Sequence, residues 1–76
     1  MRKKLLEVLA DAKPGFEFEG KTDLVDGGYL DSFDIITLVS ELNDRFEIDI
    51  PVEDIVTENF DSVDAILALV EKLSEE

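Results

Sequence analysis

A long polar loop gives way to a helix at the sequence Gly27-Gly28-Tyr29-Leu30-Asp31-Ser32-Phe33-Asp34. The residues after this stretch place apolar side chains every three or four positions, which is the one-sided spacing of a half-buried helix. Those apolar positions are Ile35, Leu38 or Val39, Leu42 and Phe46. Ser32 stands at the junction of loop and helix. We therefore expect the Ser32 hydroxyl to lie at the N-terminus of the helix and near the surface.

The length of the chain, 76 residues, is enough for one small domain, so we predict a single domain over residues 1–76. Domains of this size usually need disulfides, a metal or well-packed helices. The chain has no Cys and no His, which excludes disulfides and argues against a structural zinc site. Its hydrophobic content of 45% is sufficient for packed helices.

Helical spacing and helix-start signals predict an all-α fold, a small four-helix bundle made of three main helices and a short third helix. We predict the main helices over residues 2–12, from Ser32 to about Phe46, and over about 63–73. The inward positions of the first helix are Leu5, Val8, Leu9 and Ala12. Those of the last helix are Val63, Ile66, Leu67, Val70 and Leu73. The short helix is expected after Pro51, over about 52–57. Its inward residues are Val52, Ile55 and Val56.

Residues 14–30 form a long first loop, which is unusual in so small a domain and often functional. Its apolar residues are Phe16, Phe18, Leu24, Val25, Tyr29 and Leu30. We expect these side chains to dock on the bundle, so that the loop is ordered. Residues 47–50 are predicted to be an extended connector, and residues 57–61 a loop held by Phe60.

A second segment, Asp61-Ser62-Val63-Asp64, repeats the pattern Asp31-Ser32-Phe33-Asp34. Both segments have the signals of a helix start, where an Asp or Ser side chain can cap the first turn. From the pattern alone, capping explains both serines. Ser32 differs in its context, because a glycine-containing loop precedes it, it begins the longest helix, and apolar Leu30 and Phe33 flank it. A phosphodiester there would face free backbone N–H groups at the positive end of the helix.

Catalytic arrangements are hard to build from this sequence. Ser32 has no His to accept its proton and the chain has no Cys nucleophile, so we predict that the protein is not an enzyme. Asp23 and Asp26 fail the EF-hand spacing, because Val25 stands two positions after Asp23 and no Glu closes the loop. We therefore expect no dedicated metal site.

The chain is strongly acidic, with a formal net charge of −13 from 20 acidic and 7 basic residues. Such a chain is repelled by nucleic acid and by anionic membrane surfaces, and attracted to basic patches on protein partners. Charge that serves only solubility explains the composition equally well. No segment has membrane-spanning length and the N-terminus lacks an export signal, so we expect no membrane insertion and a cytoplasmic location.

Several motifs follow the first loop in a fixed order. They are the core Gly28-Tyr29-Leu30-Asp31-Ser32-Phe33, the helix of residues 35–42 with Phe46, the segment Ile48-Asp49-Ile50-Pro51, and Phe60-Asp61-Ser62-Val63 before an apolar helix. The Asp-Ser dipeptide alone would be weak support. The ordered set, from about Leu24 to Leu73, resembles the acyl carrier proteins, a family of small four-helix domains also found as peptidyl carriers.

This resemblance implies a 4′-phosphopantetheine arm on the hydroxyl of Ser32, added from coenzyme A by a separate phosphopantetheinyl transferase. The thiol of the arm would hold an acyl or aminoacyl group as a thioester. The chain has no Cys and so no thiol of its own for this purpose. By analogy, Asp31 helps the transferase to recognise the site. We expect the tethered group to stay largely outside or loosely docked, because so small a core has little spare volume.

The resemblance also implies a docking surface for enzymes with a basic, partly apolar groove. These enzymes are the transferase, an acyl- or amino-acid-activating ligase and downstream transferases. The residues expected to contact them are Leu30, Phe33, Asp34, Glu41, Glu53 and Asp54. For Phe33, packing in the core is an equally good explanation. We expect the carrier to be a monomer.

The chain departs from the carriers of fatty acid synthesis, which usually have Leu after the serine and more acids along the second helix. Here Phe33 follows Ser32, and residues 35–40 contain no acid. The chain is therefore more similar to stand-alone carriers of amino acids, such as D-alanyl carrier proteins, or to carriers of specialised polyketide and peptide pathways. The alternative function is an acidic helical adaptor that binds a basic protein partner and has no prosthetic group.

Overall fold

The predicted all-α architecture is confirmed by the structure, a computed structural model that describes residues 2–74. Four α-helices and one short 3-10 turn make up the regular structure of these residues, and no strand occurs among them. The helices are α1 (Arg2–Ala12), α2 (Ser32–Phe46), α3 (Thr57–Phe60) and α4 (Val63–Ser74), and the 3-10 turn is Val52–Asp54. The three main helices thus lie where the apolar spacing predicts them.

The core forms where the apolar faces of α1, α2 and α4 meet the apolar residues of the loops. The buried helix residues are Leu5, Val8 and Leu9 of α1, Leu38 and Leu42 of α2, Phe60 of α3, and Val63, Ile66, Leu69 and Val70 of α4. Those of the loops are Phe18, Leu24, Leu30 and Ile50. The predicted faces of α1 and α2 are confirmed, although Ala12, Ile35 and Phe46 are only partly buried. In α4 the face is shifted: Leu69 is buried, and Leu67 and Leu73 are only partly buried.

The long first loop is ordered, as predicted, because Phe18, Leu24 and Leu30 enter the core and its backbone is bonded to the rest of the bundle. The docking expected of Tyr29 is wrong: its side chain is 42% exposed and lies against the ring of Phe16 at the surface. The Leu24 N–H donates to the Asp61 carbonyl at 2.8 Å. The N–H groups of Val25 and Asp26 donate to Oδ1 of Asp61 at 2.9 and 3.1 Å. One side chain at the start of α4 therefore holds the middle of the loop.

The region before α4 differs from the sequence prediction. A continuous helix over about 52–57 was expected, but the 3-10 turn ends at Asp54, and Ile55 and Val56 have non-helical backbone angles. The helix forms later, over Thr57–Phe60, where a loop was predicted. Because the helical register is broken, Val52 does not turn inward and is 85% exposed, and Val56 is exposed as well.

The connector after α2 was predicted to be extended, but it begins with Glu47 in the left-handed conformation (φ 54°, ψ 47°), which ends the helix. Asn43 holds the connector in place. The Asn43 carbonyl accepts a hydrogen bond from the Ile48 N–H at 3.1 Å, and its Oδ1 accepts one from the Ile50 N–H at 2.9 Å. Ile50 is thereby fixed in the core. None of the helices in the described part of the chain combines the length and the hydropathy that crossing a bilayer requires.

Candidate functional site

The N-terminus of α2 is capped by Asp31, whose backbone is extended (φ −100°, ψ −176°). Its Oδ1 accepts a hydrogen bond from the Asp34 N–H at 2.8 Å, and Oδ2 of Asp34 accepts one from the Asp31 N–H at 3.3 Å. This reciprocal pair is a capping box, and it satisfies an N–H group that a helix start otherwise leaves without a partner. Of the two caps that the sequence allows, Asp31 and Ser32, the structure therefore selects Asp31.

Ser32 is the first residue of α2, and its hydroxyl is not needed to hold the helix start. The residue is exposed, as predicted. Its Oγ makes no hydrogen bond within residues 2–74, and the backbone N–H groups of Ser32 and Phe33 donate to no acceptor there. Free N–H groups at the positive end of a helix favour a negatively charged group. The hydroxyl is therefore open to chemistry at a position that suits an anion.

The second serine of the repeated pattern is used differently. Ser62 is partly buried, and its Oγ accepts a hydrogen bond from the Ala65 N–H at 3.0 Å. Its carbonyl accepts the Ile66 N–H at 3.0 Å, so Ser62 is the cap of α4. The structure thus gives the capping role to Ser62 and leaves Ser32 without it.

The turn before the site depends on two glycines. Gly28 has a φ of +80°, a left-handed conformation in which other residues are strained. At Gly27, a Cβ would lie 2.6 Å from the backbone oxygen of Asp23. The turn is closed by the Leu30 N–H, which donates to the Leu24 carbonyl at 2.8 Å. The chain therefore reverses directly before the cap of α2.

Lys13, at the end of α1, contacts the site on both sides of Ser32. Its Nζ donates to the Tyr29 carbonyl at 2.8 Å and to Oδ2 of Asp34 at 2.9 Å. The hydrogen bond from Lys13 holds the pKa of Asp34 below its ordinary value, aided by the Asp31 N–H and opposed by partial burial. Asp34 is thus stabilised as a carboxylate by two donors.

Exposed apolar side chains lie beside the hydroxyl. Phe33 and Ile36 are one turn apart on α2 and are 75% and 66% exposed. The explanation of Phe33 as a core residue is therefore wrong. Leu30, in contrast, was predicted to contact partners but is only 2% exposed and packs in the core. Its apolar side chain is explained by folding, and the large apolar side chains that α2 exposes are Phe33 and Ile36.

Three of the four acids predicted to meet a partner form ion pairs within the molecule. The pairs are Asp34 with Lys13 at 2.9 Å, Glu41 with Arg45 at 3.4 Å and Asp54 with Lys72 at 3.5 Å. The fourth, Glu53, is exposed, as is Asp31. The acids near the site are therefore not equally available. The described residues do not bring three carboxylates together as ligands for a metal ion.

A groove of about 460 Å³ opens beside Ser32, between the start of α2 and the segment before α3. Its lining is mostly apolar and consists of Val25, Leu30, Asp31, Ser32, Ile35, Ile36, Ile55, Val56, Thr57 and Phe60. This is more space next to the hydroxyl than the small size of the core led us to expect. The space lies at the surface, where it adjoins the buried core residues Leu30 and Phe60.

Two residues of this site did not appear among the sequence predictions. Ile36 lies three positions after Phe33 and outside the buried spacing of α2, so helical periodicity could have identified it as exposed. Lys13 had no such signal, because its contacts with Tyr29 and Asp34 join parts of the chain that are far apart in sequence.

A family model described as "Phosphopantetheine attachment site" matches residues 3–70 of the chain. The match includes α1, the first loop, the Ser32 site and most of α4. Comparisons with curated proteins and with solved structures found no match.

Proposed function

The chain belongs to the phosphopantetheine attachment family, whose domains bear 4′-phosphopantetheine covalently, and we propose that Ser32 bears this group here. The protein then presents an acyl or aminoacyl group to biosynthetic enzymes. The group supplies a thiol, on which the carried acid is held as a thioester. Domains of this family are carriers, and the enzymes that load and unload them are separate proteins.

The observation that carries the assignment to Ser32 is the free hydroxyl at the start of α2. It is exposed and makes no hydrogen bond within residues 2–74, because Asp31 caps the helix in its place. The unbonded N–H groups of Ser32 and Phe33 suit the negative charge of a phosphodiester. The residues at this position therefore fit the prosthetic group.

Loading requires an enzyme from outside the chain. Ser32 has no His to accept its proton, since the sequence contains none, and its nearest acids, Asp31 and Asp34, are bound to each other in the capping box. A phosphopantetheinyl transferase would supply the base and bind coenzyme A. The hydroxyl oxygen then takes the phosphopantetheine group and 3′,5′-adenosine bisphosphate leaves. Asp31 is exposed next to the hydroxyl, which supports a role for this residue in recognition by the transferase.

We propose that the cargo is an amino acid or an acid of a specialised pathway, in preference to the intermediates of fatty acid synthesis. The support is the exposed surface of α2 that follows Ser32. It carries Phe33, Ile36 and Ser40, whereas the carriers of fatty acid synthesis usually have more acids along this helix. The groove beside Ser32 gives a small tethered group a place to dock loosely at the surface.

Partner enzymes are proposed to dock at the start of α2 with a surface that is apolar in the centre and basic at the rim. Phe33 and Ile36 provide the apolar contact, and Asp31 and Glu53 are the exposed acids expected to meet basic residues. Charge complementarity of this kind raises association rates, which then fall as salt rises. The protein is proposed to act as a monomer.

The test is the intact mass of the protein after incubation with coenzyme A and a transferase of broad specificity. The wild-type protein and the Ser62→Ala variant are each expected to gain one phosphopantetheine group, and Ser32→Ala to gain none. The Ser62 variant is the matched control, because it removes a hydroxyl from the same motif. An unmodified wild-type protein would favour the acidic adaptor instead.

The cargo is tested separately, with the loaded carrier labelled for NMR. An aminoacyl group is expected to shift only the amides that border the groove, by small amounts. A fatty acyl chain that strongly shifts core residues away from the groove, such as Leu42 and Ile66, and that activating enzymes prefer to amino acids, would refute the proposed cargo.

A further inference from the structure

Lys13 is a basic residue in an acidic protein, and it reaches the loop and the helix that meet at Ser32. We propose that Lys13 is a positioning residue, whose ammonium group fixes the loop and the helix start so that the Ser32 hydroxyl is presented for loading. This inference rests on the proposed function, since it concerns the same hydroxyl.

The acceptors of the two hydrogen bonds from Lys13 lie on either side of Ser32 in the sequence. Nζ donates to the carbonyl of Tyr29, three residues before Ser32, and to Oδ2 of Asp34, two residues after it. The same Oδ2 accepts the N–H of Asp31 at 3.3 Å. One ammonium group therefore holds the chain on both sides of the hydroxyl.

Lys13 is itself held by a rigid element. Its backbone N–H donates to the Leu9 carbonyl at 3.0 Å, which continues α1 by one residue, and Leu9 is fully buried in the core. Its ammonium also lies 5.2 Å from the centre of the Phe16 ring, within the range of a cation–π contact. The part of the loop directly before Ser32 is thus joined to the end of α1 by the Lys13 side chain, while Arg2 at the start of α1 pairs with Glu19 earlier in the loop.

The same contacts change the role expected of Asp34. Its carboxylate accepts hydrogen bonds from Lys13 and from Asp31, and the side chain is only partly exposed. An acid that is occupied in this way is poorly available to a basic residue of a partner. Asp34 is therefore assigned to positioning, through Lys13, and the docking acids lie elsewhere.

Removal of the Lys13 ammonium group should weaken the binding of the carrier to the transferase. When only a fraction of molecules presents the site correctly, the apparent affinity falls in proportion to that fraction. We expect Lys13→Met to lower kcat/KM for loading by about three- to tenfold, mainly through a higher KM. Once bound, the hydroxyl is placed by the transferase, so that kcat should stay within about twofold.

Arg45 offers a matched control. Its NH2 group pairs with Asp11 at 2.8 Å, so it also joins α2 to α1, and its side chain is 39% exposed, against 33% for Lys13. It lies in the last turn of α2, roughly 20 Å along the helix from Ser32. Arg45→Met should therefore affect stability about as much as Lys13→Met without slowing the loading reaction.

The experiment measures loading kinetics for Lys13→Met, Lys13→Arg, Asp34→Asn, the double variant Lys13→Met/Asp34→Asn and Arg45→Met. Lys13→Arg should restore most of the efficiency, because a guanidinium can donate to both oxygens. The double variant should load no more slowly than the slower single variant, because the two residues act through one contact. Additive losses would mean that Asp34 contacts the transferase directly, and would overturn the assignment.

Hydrogen exchange gives a second readout that does not depend on loading. The hydrogen-bonded amides among residues 29–34, those of Leu30, Asp31 and Asp34, should exchange faster in Lys13→Met than in Arg45→Met or the wild type. The proposal is overturned if Lys13→Met loads as efficiently as the wild type, or if Arg45→Met loses as much efficiency as Lys13→Met. It is also overturned if amide exchange at residues 29–34 is unchanged in Lys13→Met. A wild-type protein that takes no phosphopantetheine refutes the proposed function instead, and the exchange experiment still decides whether Lys13 fixes this loop.

Discussion

The segments Asp31-Ser32-Phe33-Asp34 and Asp61-Ser62-Val63-Asp64 share a residue pattern, but α2 begins at its serine and α4 begins one residue after its serine. In the first segment the aspartate caps the helix and the serine hydroxyl is free. In the second the serine caps, accepting the Ala65 N–H at 3.0 Å. The cap is the aspartate in the first segment and the serine in the second. The Ser32 hydroxyl is therefore available for modification, whereas the Ser62 hydroxyl is used to cap a helix.

The contacts of each aspartate explain this difference. Asp61 cannot cap α4 freely, because its Oδ1 accepts the N–H groups of Val25 and Asp26 in the first loop. Asp31 has no such contact and is bound only within its own helix start, to Asp34. The long loop thus determines which residue of the second pattern becomes the cap.

The largest loss of stability from a single substitution in the two segments is expected at Asp61. Asp61→Ala leaves two backbone N–H groups without an acceptor and should cost about 1–3 kcal/mol in the free energy of unfolding. Asp31→Ala removes an exposed cap and should cost about 0.5–2 kcal/mol. Urea unfolding of both variants measures the difference, with Asp61→Asn as a control that keeps an acceptor oxygen. A greater loss for Asp31→Ala would contradict this account.

The next largest loss of stability is expected at Val63, the apolar residue after Ser62, and Phe33, which follows Ser32, should show almost none. Val63 is 3% exposed, so Val63→Ala should cost about 2 kcal/mol from two buried methyl groups and the space they leave. Phe33→Ala should change stability by less than about 0.5 kcal/mol, because the ring is exposed. The same Phe33 variant should bind partner enzymes more weakly. Equal destabilisation by the two substitutions would show that Phe33 packs against the bundle.

Replacing Ser62 should lower stability more than replacing Ser32, whereas only the replacement of Ser32 should prevent loading. Ser62→Ala removes the cap of α4 and should cost about 1 kcal/mol. Ser32→Ala should cost less than about 0.5 kcal/mol, because Asp31 remains as the cap. Thermal or urea unfolding measures both. Marked destabilisation by Ser32→Ala would mean that this hydroxyl has a structural role.

The smallest effect is expected in the acid dependence of stability. The pKa of Asp34 is lower in the folded protein than in the unfolded chain, where an Asp titrates near pH 3.9. The ionised form therefore stabilises the fold above that pH, and this contribution is lost as the pH falls below about 4. Asp34→Asn should reduce the loss of unfolding free energy between about pH 6 and about pH 3. An unchanged pH profile would show that Lys13 does not hold the carboxylate in solution.

Much of this molecule is predictable from its sequence, because apolar spacing determines which helix faces are buried. The three main helices, the ordered loop and the position of Ser32 follow from that spacing and from helix-start signals. The matched family confirms the predicted prosthetic group and the carrier class. Residues 2–74 contain one short α-helix, as predicted, but it lies at Thr57–Phe60, and only a 3-10 turn forms within the predicted span of about 52–57.

The errors arise where tertiary contacts override local pattern. Residues 52–57 have helical spacing, but Ile55 and Val56 leave the helical conformation, and the short helix forms at Thr57–Phe60, where Phe60 is buried. Leu30 is apolar and next to the site, yet it belongs to the core. The choice between Asp31 and Ser32 as the cap could not be made from residue types alone, since both side chains are good caps.

The central claim is tested most directly by locating the prosthetic group in the wild-type protein. After incubation with coenzyme A and a broad transferase, fragmentation mass spectrometry of the peptides should place a single phosphopantetheine on Ser32 and none on Ser62. An adduct on Ser62, or no adduct under conditions that load a known carrier, would contradict the account.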